Sequence, residues 1–432
     1  MTRILIQNGH VVDPANNVDQ LADVYIDQGK IVAIGKKPDG FVADTTIDAE
    51  NLIVSPGFVD LSTSLREPGY EYKANIESET AAAAKAGVTT LCCLPETSPV
   101  IDTPAVVEYV QQRARQAGYA RVLVIGALTK NLKGQQLSEM AALKEAGCVA
   151  VSNGYYPIAD TLVMRRALEY AGSHDITVFL RAEDSWLSRS ACAHEGAVST
   201  RLGLSGVPDV AETIAVWRDL SLVEFCGTRV HFSCLSTDRA VRMVARAQHD
   251  GLPVSANVSA HQLHLIDIDV AGFNCNYHVR PPLRGQRDKD GLRRGLREGV
   301  LAGICSDHQP HDVDAKIGPF AESAPGMSTL ETLLPLTLKL VEEQCLSLSE
   351  AVASLSCKPA QVIGIDAGTL SIGGLADIAI FDPSSDWMVN DASLFSRGKN
   401  SPYMDRALLG QVKYTLLEGR IVYQNALVGQ VQ

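Results

Sequence analysis

From residue 53 to residue 307 the chain alternates short, β-branched apolar runs with longer segments rich in Ala, Leu and Glu. The apolar runs span 53–61, 88–94, 121–128, 148–152, 176–182, 228–235, 252–258 and 302–307. Amphipathic helix candidates stand between most of them, including 77–86, 104–117, 137–146 and 161–172. Gly87, Gly118 and Gly147 lie just past three of these helices, where a left-handed C-terminal cap favours glycine. Near-continuous apolar strands alternating with helices specify a parallel sheet covered on both faces. Eight such units predict an α/β fold of the (β/α)8 barrel type, with a doubly wound sheet as the alternative.

The flanks follow a different pattern. Residues 4–34 alternate in short runs broken at Asn8-Gly9 and Gln28-Gly29-Lys30, and 369–381 and 411–423 do the same around Gly373-Gly374 and Glu418-Gly419. Neither flank is long enough to bury a core of its own. The prediction is therefore a barrel over 53–365 beside one small composite β domain built from 1–52 and 366–432.

Composition narrows the function. With 46% hydrophobic and 20% charged residues the chain reads as a soluble globular protein. A formal net charge of -12 and the lack of any basic run argue against a nucleic-acid or anionic-membrane partner. The apolar run at the N-terminus is too short for a signal peptide and no stretch reaches transmembrane length, so a cytoplasmic location is expected. The 10 cysteines are scattered through apolar segments without Cys-x-x-Cys spacing, which predicts buried reduced thiols.

In a barrel, chemistry sits at the carboxyl ends of the strands. The first such end reads Pro56-Gly-Phe-Val-Asp-Leu-Ser-Thr-Ser-Leu-Arg-Glu-Pro-Gly69. Together with Arg280-Pro-Pro-Leu-Arg284, Asp307-His-Gln-Pro-His311, Lys399-Asn-Ser-Pro402 and 410–423, it resembles dihydroorotases, zinc amidohydrolases of pyrimidine synthesis, along nearly the whole chain. The resemblance implies a metal-binding His-x-His pair at positions 62 and 64, which here are Ser62 and Ser64. Arg66 stands where the family holds the substrate carboxylate. Glu96 replaces an asparagine of the same subsite, where it would repel an anion or compete for Arg66.

The remaining strand ends depart in the same sense. Asn153 stands where related enzymes carry a bridging aspartate or carbamylated lysine. Arg181 replaces a ligand histidine, and a guanidinium has no lone pair to donate. Cys234 replaces another ligand histidine and could contribute at best a thiolate. Arg280 stands where an asparagine is usual. Asp307, the family's metal-binding general base or acid, is kept, as is His311 at the substrate side. A catalytic zinc needs about three protein ligands plus a water, and only that metal brings the water pKa to near 7. The expectation is a chain without zinc and without an intact catalytic set.

Arg181 is expected to replace the lost charge by pairing with Asp307, since an unpaired buried carboxylate is unfavourable. Arg66, Arg181 and Arg280 together would either bind an anion or form an ion-pair network with Glu96 and Asp307, the second being favoured. His231, His308 and His311 read as structural histidines, His261 and His264 as residues of a loop or helix start after the seventh strand without ligand spacing, and His10, His174, His194, His249 and His278 as surface or turn residues.

Chains that resemble dihydroorotase but lack its ligands serve, in several bacterial lineages, as non-catalytic subunits of aspartate carbamoyltransferase. The resemblance therefore implies a hetero-oligomeric assembly role with the catalytic chain of that enzyme. An active cyclic-amide hydrolase with a remodelled metal site at Asp307 and Cys234 or His231, and an anion-binding sensor at Arg66 and Arg280, are the alternatives.

Overall fold

The computed structural model describes residues 3–425; Met1, Thr2 and 426–432, the outer ends of the expected β domain, lie outside the described residues. Seven parallel strands form one sheet in chain order: β1 (Phe58–Thr63), β2 (Val88–Cys93), β3 (Arg121–Ala127), β4 (Cys148–Ser152), β5 (Thr177–Leu180), β6 (Val230–Phe232) and β7 (Val254–Ala256). The two-residue β8 (Ile304–Cys305) pairs with Val258–Ser259, the continuation of β7. Beyond β8 the chain reaches β1 through a parallel bridge between Thr63 and His308 and a hydrogen bond from the Ser64 N–H to the His308 carbonyl (2.9 Å). The sheet is thereby closed, as the eightfold alternation predicts.

Helices Ile76–Lys85, Pro104–Ala117, Met140–Glu145, Thr161–Ser173, Val210–Cys226, Asp238–His249 and Gln286–Arg297 cover the outside of the sheet. Val59, Leu61, Cys92, Ile125, Ala150 and Phe179 fill the lower barrel, and a much larger apolar layer joins sheet and helices. The floor carries no chemistry; it fixes the strand ends above it.

The flanks meet in one mixed eight-stranded sheet. Ile378–Met388 pairs antiparallel with Ile53–Pro56, which in turn pairs with Ile4–Asp13. The single run expected at 53–61 is thus two strands in two sheets, and the small domain extends four residues beyond the expected boundary. Gly57 makes the switch. A Cβ there would lie 2.2 Å from Thr89 Oγ1 and 2.4 Å from Cγ2, so only glycine lets the two sheets approach this closely. Strand periodicity is blind to such a change of partner, because both halves are buried on both faces.

All ten cysteines are free. Among the described residues no helix is long and apolar enough to cross a membrane.

Candidate active site

The residues singled out above gather at one end of the barrel. Ser62 and Ser64 lie at the end of β1, Glu96 past β2, Asn153 past β4, Arg181 past β5, Cys234 past β6 and Asp307 past β8. Arg280 reaches them from the connection between β7 and β8. Three of these turns hold non-glycine residues in left-handed backbone: Arg66 at φ 65°, Cys234 at 55° and Asp307 at 52°. Such conformations cost on the order of 1–3 kcal/mol each and persist only where the surroundings enforce them.

Arg181 and Asp307 form the centre. Nη2 of Arg181 lies 2.5 Å from Oδ1 of Asp307, with the two side chains only 7% and 1% exposed. The same carboxylate oxygen accepts from the Tyr155 hydroxyl (2.6 Å) and the Ser62 hydroxyl (3.2 Å). Arg181 also donates to the Tyr155 oxygen (3.0 Å), to Cys234 Sγ (3.2 Å) and, through Nη1, to the Arg280 carbonyl (2.7 Å). Its guanidinium carbon stands 3.9 Å from the Tyr155 ring centroid, a stacked cation–π contact. Gln309 completes the shell by donating to the Tyr155 hydroxyl. Burial alone would raise the Asp307 carboxyl, but the charges of Arg181 and His261 and the hydrogen bonds from Tyr155 and Arg181 together hold the group below its ordinary value. Burial likewise opposes the Arg181 charge, and Asp307, Cys234 and Tyr155 reverse that effect. The pairing expected from sequence is present; Tyr155 and Gln309 were not anticipated. The only hint of Tyr155 was an aromatic pair directly after the end of β4.

The other arginines behave differently from one another. Arg280 forks onto Glu183, with Nε–Oε2 at 2.7 Å and Nη2–Oε1 at 2.5 Å, so its charge is neutralised. Arg66 does not pair with Glu96, contrary to the expected network. Its Nε donates to the Pro310 carbonyl (3.0 Å) and its Nη2 lies 3.3 Å from His311 Nε2. Glu96 turns instead to accept from the Tyr155 backbone N–H (2.8 Å). Gly154 permits this, since a Cβ there would fall 1.6 Å from Glu96 Oε1. Burial pushes the Glu96 carboxyl above its ordinary value, against the lowering by that hydrogen bond and by the Arg181 and Arg66 charges.

Asn153 is a loop stitch: it accepts from Thr129 Oγ1 (2.6 Å) and donates to the Leu132 (3.1 Å) and Tyr156 (2.6 Å) carbonyls. Among the described residues the buried Ser64 Oγ, Glu96 Oε2, His231 Nε2 and His261 Nδ1 have no hydrogen-bond partner. His231 rests on Ser255 through Nδ1 (2.8 Å), and His308 bridges Glu79 (2.7 Å) to the Thr329 and Leu330 N–H groups (3.0 and 3.3 Å). His278, expected at the surface or in a turn, follows the single turn Cys275–Tyr277 but is buried against Phe320 with Nδ1 3.0 Å from Ser323 Oγ. Its loop folds under the 313–324 segment, a contact too distant in sequence to be foreseen.

The family profile described as dihydro-orotase-like matches residues 51–240, and the amidohydrolase family profile matches 320–423. A dihydroorotase-like protein of Pseudomonas aeruginosa is 48% identical over 421 residues, covering 98% of this chain and 99% of that one. This chain belongs to the dihydroorotase-like proteins of the amidohydrolase superfamily. Another relative in that family, named a dihydroorotase, from Geobacter sp., is 42% identical over 424 residues, covering 98% and 99% of the two chains. The fold is that of L-hydantoinase (dihydropyrimidinase) from Arthrobacter aurescens, with a TM-score of 0.88 at 24% identity over 98% of this chain and 96% of that one.

Proposed function

We propose that this dihydroorotase-like chain is a non-catalytic, cytoplasmic subunit that assembles with the catalytic chain of aspartate carbamoyltransferase in pyrimidine synthesis. The observation that carries the non-catalytic part is the Arg181–Asp307 pair at 2.5 Å. The family's metal would need the Asp307 carboxylate and the neighbouring strand ends as donors. Here they present two serine hydroxyls, an amide already bonded three times, a guanidinium and a thiol. This set does not fit a divalent zinc, which is held by imidazole, thiolate and carboxylate. The fixed positive charge of Arg181 would further repel a second cation from the same carboxylate. Beside it, the cavity bounded by Arg181, Glu183, Cys234 and Arg284 measures about 10 Å³, room for a single water rather than a cyclic amide.

The assembly part rests on the family resemblance alone: a barrel relieved of chemistry can be retained for its surface. One observation favours a second reading, an active cyclic-amide hydrolase, because relatives at 42% identity carry the name dihydroorotase. Metal content and dihydroorotase turnover, measured on one purified sample with and without added zinc, separate the two. Near-zero metal and no turnover are expected, followed by co-purification with aspartate carbamoyltransferase. About one tightly held metal per chain with turnover would overturn the proposal, and a chain that neither turns over nor associates would overturn the assembly role.

A further inference from the structure

A second and far larger cavity, about 460 Å³, opens outside the Arg181–Asp307 centre, between the loops at 72–73, 274–276, 311–317 and 397–400. Lys73, Lys316, Arg397 and Lys399 line it. That concentration of cations is unexpected in a chain of net charge -12. The partners of these four groups are neutral. Lys316 Nζ donates to the Cys275, His278 and Ala324 carbonyls (3.0, 3.4 and 2.6 Å), Lys399 Nζ to the Leu394 carbonyl (2.7 Å) and Arg397 Nη1 to the Glu71 backbone carbonyl (3.0 Å). Lys73 Nζ lies 3.3 Å from His311 Nδ1. Arg66, behind the wall on the other side of His311, adds a fifth cation held only by a carbonyl and an imidazole. Asp312 contributes a carboxylate to the lining, which leaves a surplus of three positive charges among the lining side chains named here when Lys316 is protonated.

The cost of this arrangement is visible in the amines. Burial, with Arg66 adding repulsion, lowers Lys73 and brings Lys316 down to about 7. His311, buried between Arg66 and Lys73, is held neutral. Cations gathered against one another in a half-enclosed space are unfavourable alone and become favourable when an anion enters.

We propose that this cavity binds a small, multiply charged anion of the phosphate-ester class, held by Lys73, Arg397 and Lys399, with Lys316, whose three N–H groups are already given to carbonyls, adding charge. The volume lies in the range of metabolite pockets. A single carboxylate would leave most of the surplus charge unmatched, whereas a phosphate ester or diphosphate carries two or more charges and several acceptor oxygens for ammonium and guanidinium donors. Tyr72, 62% exposed at the rim with Lys73 5.7 Å from its ring centroid, offers a face for the rest of the ligand. The proposal gives a role to Lys399 of the Lys-Asn-Ser-Pro motif, which the barrel mouth leaves unused.

The test is calorimetric titration of the full chain with inorganic pyrophosphate at fixed ionic strength, beside citrate as a polycarboxylate of similar charge. Saturable pyrophosphate binding is expected, weakened at least about tenfold in Lys73→Gln/Arg397→Gln, with citrate binding more weakly. Lys316→Met serves as a second variant, its folding checked by circular dichroism. Absence of saturable binding, or binding that neither variant changes, overturns the site, and citrate binding as tightly as pyrophosphate overturns the phosphate class. These residues are apart from Arg181 and Asp307, so the outcome does not depend on the assembly reading.

Discussion

Replacing Arg181 with methionine removes the charge while keeping an unbranched stem beside Tyr155. At 2.5 Å and an effective dielectric of 20, the Coulomb attraction to Asp307 is about 7 kcal/mol before desolvation is subtracted. Removing one partner of a buried pair leaves the other charge stranded, and such losses run to about 3–5 kcal/mol. Arg181→Met should therefore lower stability by about that amount, read from urea midpoints followed by circular dichroism and tryptophan fluorescence. The stranded Asp307 carboxyl would then have its pKa raised by burial. Its penalty is present above that raised pKa and relieved as the pH falls through it, so the deficit should shrink on acidification from pH 7 to 5. Arg181→Met/Asp307→Leu removes both charges and should recover most of the loss. A single variant within about 0.5 kcal/mol of the native chain, or a double variant no better than the single one, would refute the view that Arg181 is the counter-charge of Asp307.

Other consequences can be measured directly. Ser62→His/Ser64→His should give no dihydroorotase turnover, because positions 153, 181 and 234 are unchanged; two imidazoles at sites only 1% and 4% exposed should also destabilise the fold by about 1–3 kcal/mol, visible as a lower Tm. Burial lowers His231 to about 3, His261, His264 and His278 to about 4 and His311 to about 2, so the unfolded chain binds more protons below its histidine pKa near 6.5. Stability is fully present above pH 6.5 and lost below it, by about 1.4 kcal/mol per histidine at pH 5.5. Asp219, pushed up to about 6 by burial, offsets part of that loss, so a thermal scan from pH 8 to 5 should show a net fall in Tm. Gly57→Ala should cost about 1–3 kcal/mol through the contact with Thr89, and Thr89→Ala in the same chain should recover part of it, as urea midpoints would show.

Much of this was legible in the sequence because it rests on local periodicity. The cores of the eight barrel strands fell inside the expected runs, and Pro104–Ala117 matched the expected helix at both ends. The change of sheet at Gly57 was not legible, since burial on both faces leaves no alternation to interrupt. At the site, the proximity of Arg181 to Asp307 followed from charge logic on known strand ends. The partners of Glu96, Arg66 and Arg280 did not, because each was decided by a backbone N–H, a carbonyl or a carboxylate presented by another loop. The cation-lined cavity was equally hidden: its four charges come from three segments spread over more than three hundred residues.

A metal ion is an exchangeable part: its occupancy depends on supply, on competition among proteins and on the time taken to load it. The guanidinium at position 181 is delivered by the ribosome with the rest of the chain, in fixed ratio to Asp307. Its pKa, pushed still higher by its neighbours, leaves it charged at every pH at which the fold survives. On the proposed non-catalytic reading, the top of this barrel would reach its final electrostatic state by folding alone, with no maturation step, under metal starvation as readily as under plenty.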